Sequence, residues 1–295
     1  LKKVFSTLFI MVLMVSAFSL SIKDGKIFDE NDWSVELKEY NSIVLIDPST
    51  TEVAFLLGAE DKVKAIGHTS RSPIWPYDKT VNMETVGTIT KPSLEKVLYY
   101  KPDLVILNGM ITEFGETLRG HDINVLTMSA DGIEDILDNL EISGIIFGKE
   151  REAIEMAQTK KALLKKIKKD IKKKPLNMKG AFLYSTNPIM GFNADSLPGQ
   201  ILEIMGVENI TNGITAARPI LSPEYILKEN PDFLIGAMSI KKPEDILNAN
   251  PMINKTNAGK NKNILLVDSS KILRPSPRII EEIESLYKEL SNINN

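Results

Sequence analysis

Short, mainly apolar runs bounded by turn formers punctuate this chain: 43–46, 63–66, 104–107 and 125–128, then 181–184, 233–235 and 264–267. Runs this short, rich in Ile, Val and Leu, predict strands buried on both faces. Between them, 52–57, 94–99, 200–205 and 224–229 carry helical spacing. Strand and helix alternate in both halves, which predicts an α/β fold with parallel sheets. The middle departs from that rhythm, because residues 133–174 contain no strand signal and no proline. After Lys149, Ile154, Ala157, Leu163, Leu164, Ile167 and Ile171 mark one helical face, and lysines from Lys160 to Lys174 fill the other. Pro175 stops the pattern. The reading is a first lobe over 22–148, a single long connecting helix over 149–174 and a second lobe over 175–295.

One string occurs in both halves. Ser93-Leu94-Glu95-Lys96-Val97-Leu98, continuing to Pro102-Asp103-Leu104-Val105-Ile106, returns as Ser222-Pro223-Glu224-Tyr225-Ile226-Leu227, continuing to Pro231-Asp232-Phe233-Leu234-Ile235. Each copy reads as a short helix capped by Ser, stopped before Pro and followed by a buried strand. A second echo pairs Leu57-Gly58-Ala59-Glu60-Asp61 with Met205-Gly206-Val207-Glu208-Asn209. The lobes are therefore expected to be alike. At the C-terminus, Ser276-Pro277 opens a last helix whose apolar positions, Ile279, Ile280, Ile283, Leu286, Tyr287 and Leu290, are expected to pack on the second lobe.

Composition narrows the setting. A net charge of −3, from 36 basic and 39 acidic residues, argues against a nucleic-acid surface. Residues 1–21 join Lys2 and Lys3 to an apolar run over 4–18 and then to small residues at Ala17, Ser19 and Ser21. That is the layout of a cleavable secretory leader, and the run is shorter than the roughly 20 residues a membrane span needs. With no cysteine anywhere, neither disulfides nor a lipid-bearing Cys are expected. An exported, unlipidated protein points to a periplasm. The lysine face of the connecting helix reads as a solvated surface, since no aromatics interleave it.

Catalytic patterns are missing. The sequence has no G-x-S-x-G, no phosphate-cradling glycine loop, no H-E-x-x-H and no Cys nucleophile. Two histidines, His68 and His121, are too few for a His-rich bare-metal site; either can serve as one axial haem ligand or sit hydrogen-bonded in a loop. An exported two-lobe enzyme would have to use His68 or Asp47, with no paired nucleophile and base in view. Arginine is more informative, because the chain prefers Lys and has only six Arg. Arg71, Arg119, Arg218 and Arg274 fall in predicted loops, where a guanidinium suits an anion or ties a loop; Arg278, in the first turn of the last helix, reads as structural. Ser49-Thr50-Thr51-Glu52 follows the first strand with capping-box spacing, which accounts for Glu52, and its hydroxyls stand near any cleft beyond the strand ends.

The ordered set Ile43-Val44-Leu45-Ile46-Asp47-Pro48-Ser49-Thr50-Thr51-Glu52-Val53, Gly58-Ala59, 63–67, Val86-Gly87, Ser93-Leu94-Glu95 through Leu104-Val105, and Arg274-Pro275-Ser276-Pro277-Arg278 resembles class III substrate-binding proteins of bacterial ABC importers, which carry iron-siderophores, haem or cobalamin. The likeness spans nearly the whole chain after the leader. It implies two Rossmann-like lobes on one backbone helix, a ligand held between them with little closure, no catalysis and no resident cofactor or metal. It also implies that Glu95 and Glu224, one per lobe, dock on arginines of a permease dimer; as acids in a first helical turn they favour the helix dipole too, and the two roles are compatible. The protein is expected to act as a monomer. Positions that flank the ring in corrinoid binders are held here by Arg71, Ile89 and Arg218, with Arg274 at a polar contact, and Thr88 stands where haem binders offer Tyr. These departures weaken haem and cobalamin and favour an anionic ferric siderophore; haem and cobalamin stay open as alternatives, as does an oxyanion such as molybdate, which an Arg-bearing cleft also suits. Trp75, Tyr77 and Tyr184 are candidate aromatic walls; Ser49, Thr50, Thr88 and Asn108 complete the expected contacts.

Overall fold

Continuous apolar runs set both sheets in the computed structural model, which describes residues 20–69 and 72–293. An antiparallel meander comes first: β1 (Ser21–Lys23), β2 (Lys26–Phe28) and β3 (Ser34–Glu36). The first-lobe strands are β4 (Ile43–Leu45), β5 (Val63–His68), β6 (Thr85–Thr88), β7 (Lys91–Pro92), β8 (Leu104–Leu107) and β9 (Val125–Thr127). They lie in the order β7-β6-β5-β4-β8-β9, parallel except for β7. Around them pack α1 (Pro48–Leu56), α2 (Tyr77–Thr80), α3 (Leu94–Tyr100) and α4 (Thr112–Arg119). Every residue of β4, β8 and β9 is buried, as a sheet covered on both faces requires.

Two helices bridge the lobes, α5 (Ile133–Ile146) and α6 (Glu150–Lys173). The second lobe holds β10 (Lys179–Thr186), β11 (Ile189–Gly191), β12 (Glu208–Asn209), β13 (Phe233–Gly236) and β14 (Ile264–Leu266). Their order is β11-β10-β13-β14, with β12 sharing an edge of β10, and only β11 is antiparallel. Its helices are α7 (Leu197–Ile204), α8 (Pro223–Glu229), α9 (Pro243–Leu247), α10 (Asn257–Asn261), α11 (Ser269–Ile272) and α12 (Ile279–Ile293).

The 24 residues of α6 give a rod about 36 Å long. Its Ala153 and Ala157 belong to the first-lobe core, whereas Leu164, Ile167 and Ile171 belong to the second. Helix α5 is shared in the same way, Leu140 and Ile146 in one core, Ile133 and Leu137 in the other. The helices approach closely because residue 144 is glycine: a Cβ there would stand 2.3 Å from Cβ of Ala153. The lysine face is tied to acids as well as solvated. Lys161 pairs with Asp138 and Glu141 at 2.9 and 2.8 Å, Lys168 with Glu134 at 2.8 Å, and Lys160 with Glu281 on α12.

The sequence repeat proves to be one hydrogen-bonded unit used twice. Ser93 Oγ accepts the Lys96 N–H and Ser222 Oγ the Tyr225 N–H, at 3.3 and 3.1 Å. Lys101 and Asn230 then end their helices in the left-handed region, at φ 45° and 49°. Asp103 accepts the N–H groups of Asn41 and Ser42 at the start of β4, and Asp232 accepts that of Lys179 at the start of β10. Asn124 and Asn263 donate to the Asp103 and Asp232 carbonyls, each at 3.0 Å. The second echo is equally physical. Gly58 and Gly206 follow helix ends at φ +64° and +71°, and the next N–H groups return to Ala54 and Leu202.

Candidate functional site

The strand-to-helix turn after β4 carries the most concentrated chemistry. Asp47, not Ser49, caps α1: its carboxylate accepts the Thr50 N–H at 2.7 Å and the Thr50 hydroxyl at 2.8 Å, with Pro48 in the first turn. Glu52 therefore lies beyond the capping position that its spacing predicted. Ser49 and Thr50 are buried against a cavity of about 20 Å³ shared with Met128, Asn139 and Pro275, enough for a water and far too small for a chelate. Burial pushes the Asp47 carboxyl up to about 6, against the opposing pull of the Thr50 bonds and the Arg274 charge.

That shift has a definite sign. The ordinary carboxyl value is 3.8, so between about pH 4 and pH 6 the folded chain holds more proton at Asp47 than the unfolded chain does. Its contribution is fully present below about pH 4 and is lost as pH rises through 6. Asp47→Asn keeps an acceptor for the cap and abolishes the titration. Unfolding free energies from urea titrations are expected to converge for the two proteins near pH 4 and to favour the Asn variant by pH 7, by an amount on the order of 3 kcal/mol.

Glu52 joins the lobes. Its side chain is fully buried and receives Arg274 Nη1 at 2.6 Å, the Ser276 hydroxyl at 2.8 Å and Arg278 Nη1 at 3.1 Å. The Trp75 N–H completes the set at 3.3 Å. Arg274 also donates to the Pro73 carbonyl at 2.8 Å, the Ser72 carbonyl at 3.1 Å and the Ser72 hydroxyl at 3.2 Å. Arg278 lies over the Trp75 ring, 4.9 Å from its centroid. Arg274, expected to face ligand, is instead buried and committed to these partners, because a buried carboxylate demands donors. Sequence reasoning missed the pairing, although an acid followed directly by Val53-Ala54-Phe55-Leu56 is a usable signal of a buried partner.

The other expected contacts divide by exposure. Arg218 is exposed, its guanidinium 5.9 Å from the centroid of the half-buried Tyr184 ring. Tyr184 packs on Phe192 at 5.0 Å between centroids and donates its hydroxyl to Met190 Sδ at 3.4 Å. Among the described residues Arg218 forms no ion pair. Thr88, half-buried at the end of β6, accepts the Lys91 N–H at 3.0 Å. Asn108 is buried and structural in its bonding: Nδ2 donates to the Ile89 and Ile46 carbonyls, and Oδ1 accepts the Met110 N–H. Trp75 is half-buried and Tyr77 exposed. Arg71 and residues 1–19 of the expected leader lie outside the described residues, whereas Leu20 is buried in the first-lobe core and Ser21 opens β1.

His68 is exposed and meets Thr85 Oγ1 at 3.2 Å, beside a hollow of about 330 Å³ that Tyr77 and Ile74 also line. A larger concavity, about 610 Å³, lies between α5, α6 and α7 and contains none of the expected contacts. Among the described residues no cluster of three or more His, Asp or Glu could hold a metal ion. Glu95 and Glu224 are both exposed in the first turns of α3 and α8. Those helices finish at the strand-start edge through Asp103 and Asp232, so the two acids stand toward the carboxyl edges of their sheets.

Two α/β lobes with largely parallel sheets on a helical bridge, with Arg218 over Tyr184 beyond the strands of the second, have the architecture of a bilobal binding protein. The chain belongs to the periplasmic binding protein family, whose sequence profile matches residues 43–270, a family of transport binding proteins rather than enzymes. It is 27% identical over 262 residues to the uncharacterized ABC transporter substrate-binding lipoprotein YvrC of Bacillus subtilis (strain 168), covering 86% of this chain and 81% of that one. To the vitamin B12-binding protein of Vibrio vulnificus (strain CMCP6) it is 24% identical over 267 residues, 88% of this chain and 93% of the relative. The crystal structure of the periplasmic vitamin B12 binding protein BtuF of Vibrio cholerae superposes with a TM-score of 0.74 at 21% identity, covering 87% of this chain and 98% of that one; this likeness shows the fold.

Proposed function

We propose that the protein captures a metal chelate between its lobes, most specifically an anionic ferric siderophore, and hands it to the permease dimer of an ABC importer. The observation that carries the ligand class is Arg218, an exposed guanidinium seated on Tyr184 and without a carboxylate partner among the described residues. A catecholate complex offers both delocalised negative charge for the guanidinium and aromatic faces for Tyr184 and Trp75. Arg71 and Thr88 complete the contacts in this reading. Export to the periplasm belongs to the same proposal. Its relative YvrC is named a lipoprotein, whereas the sequence here contains no cysteine, and the reading is of an unlipidated protein.

A second reading, a corrinoid ligand, is favoured by the vitamin B12-binding relatives. Titrating the purified protein with a ferric tris-catecholate, haem and cobalamin, read by tryptophan quenching, separates them. The ferric catecholate is expected to bind tightest, and Arg218→Ala to weaken it by about 10- to 100-fold, the worth of one hydrogen-bonded charge. Saturable cobalamin binding without catecholate binding would establish the corrinoid reading instead.

A further inference from the structure

We propose that Arg274, Ser276 and Arg278 of the second lobe are positioning residues that, with Glu52, set the loop 72–76 as a ligand wall of the first lobe. The loop, between β5 and α2, has no regular structure of its own over these residues. Within its lobe it is held by the Thr80 hydroxyl on the Ile74 carbonyl at 2.7 Å, by Lys79 and Thr80 N–H groups on the Pro76 carbonyl, and by Glu52 on the Trp75 N–H. From the other lobe, Arg274 takes the Ser72 and Pro73 carbonyls and the Ser72 hydroxyl, and Arg278 covers the indole of Trp75. Glu52 connects the two sets, since the carboxylate that receives the Trp75 N–H is the one that receives Arg274, Ser276 and Arg278.

Two consequences follow from that connectivity. Freeing the latch leaves the Ser72 and Pro73 carbonyls without these donors, and the backbone must move to satisfy them. The wall is therefore shaped by the apposition of the lobes, and a ligand that presses on Trp75 presses on the lobe contact as well; the coupling is reciprocal. The arrangement gives a cleft whose two sides are registered to each other at the loop that touches ligand. This step rests on the reading of Trp75 as a ligand contact.

The test uses the full protein carrying Trp33→Phe, which leaves Trp75 as the sole tryptophan. Arg274→Lys keeps a cation for Glu52, but a single ammonium cannot span the Glu52, Pro73 and Ser72 acceptors that the two Nη atoms divide between them; Ser276→Ala and Arg278→Lys loosen the Glu52 cluster with the Glu52 charge still paired. Acrylamide quenching of Trp75 is expected to rise about twofold in Arg274→Lys as the loop opens locally. Its affinity for a ferric tris-catecholate is expected to fall about tenfold, with Ser276→Ala intermediate. Unchanged Trp75 quenching with a lowered thermal midpoint overturns the proposal and leaves a tie between lobes. Increased quenching with unchanged catecholate affinity also overturns it, because the loop is then no wall. The Arg218→Ala titration keeps the two levels apart: lost binding there with intact binding in the latch variants preserves the chelate function and removes only the positioning role.

Discussion

With Glu95 and Glu224 both changed to Arg, the proposed docking role predicts a protein that binds a ferric catecholate as before and delivers none of it. Both side chains are exposed, one per lobe, in the first turns of helices built from the same hydrogen-bonded unit. Neither shares an ion pair with another described residue. Their only internal role is the favourable placement of an acid at a helix N-terminus, worth about 0.3–1 kcal/mol each and small beside the stability of a domain. Across an interface the same reversal is costlier, since truncating one side of a desolvated charge pair loses about 2–5 kcal/mol and like charges add repulsion. A single reversal should weaken association with the importer by about 100-fold. The double reversal should abolish chelate-dependent ATPase stimulation of the importer in proteoliposomes. Catecholate affinity should stay within about twofold, because the acids stand outside the proposed contacts. Loss of chelate binding in the double variant would place Glu95 and Glu224 at the ligand instead.

Long-range periodicity and short-range chemistry were not equally legible in the sequence. The α6 rod could be read almost to the residue, 149–174 expected against Glu150–Lys173 observed, because an apolar stripe opposite a lysine stripe has one explanation over that length. Buried strands were equally plain. The meander β1–β3 was not, since strands of three residues with mixed polarity carry no period to detect. Arginine shows the deeper limit. Arg218 and Arg274 look alike as scarce arginines in loops, yet one is exposed over an aromatic ring and the other buried on a carboxylate 222 positions away. Which of them keeps its charge available depends on a partner that only the fold supplies. Glu52 was misread for the same reason, because a capping-box spacing explained it locally and hid its contact with the other lobe.

Glu52→Ala is expected to be the most damaging single change outside the hydrophobic cores. Deleting the carboxylate strands two guanidiniums whose side chains are only 8% and 19% exposed, together with the Ser276 hydroxyl and the Trp75 N–H. Breaking a buried pair in this way costs about 3–5 kcal/mol, chiefly as uncompensated charge. In a chain of this size that lowers the thermal midpoint by on the order of 10 °C, measurable by calorimetry. Asp47 cannot substitute for the lost carboxylate, because its oxygens are engaged with Thr50 and its ionised form is already disfavoured by burial. Charge removal on both sides should behave differently. A triple variant, Glu52→Leu, Arg274→Met and Arg278→Leu, replaces the latch with apolar packing and is expected to recover most of the lost stability. Its Trp75 loop would still lack the donors on the Ser72 and Pro73 carbonyls and the guanidinium over the indole. A triple variant with a restored midpoint and weakened catecholate binding would show that the ion cluster serves the placement of the wall more than the stability of the fold. A midpoint that stays as low as that of Glu52→Ala would show instead that the cluster is needed for the lobes to pack at all.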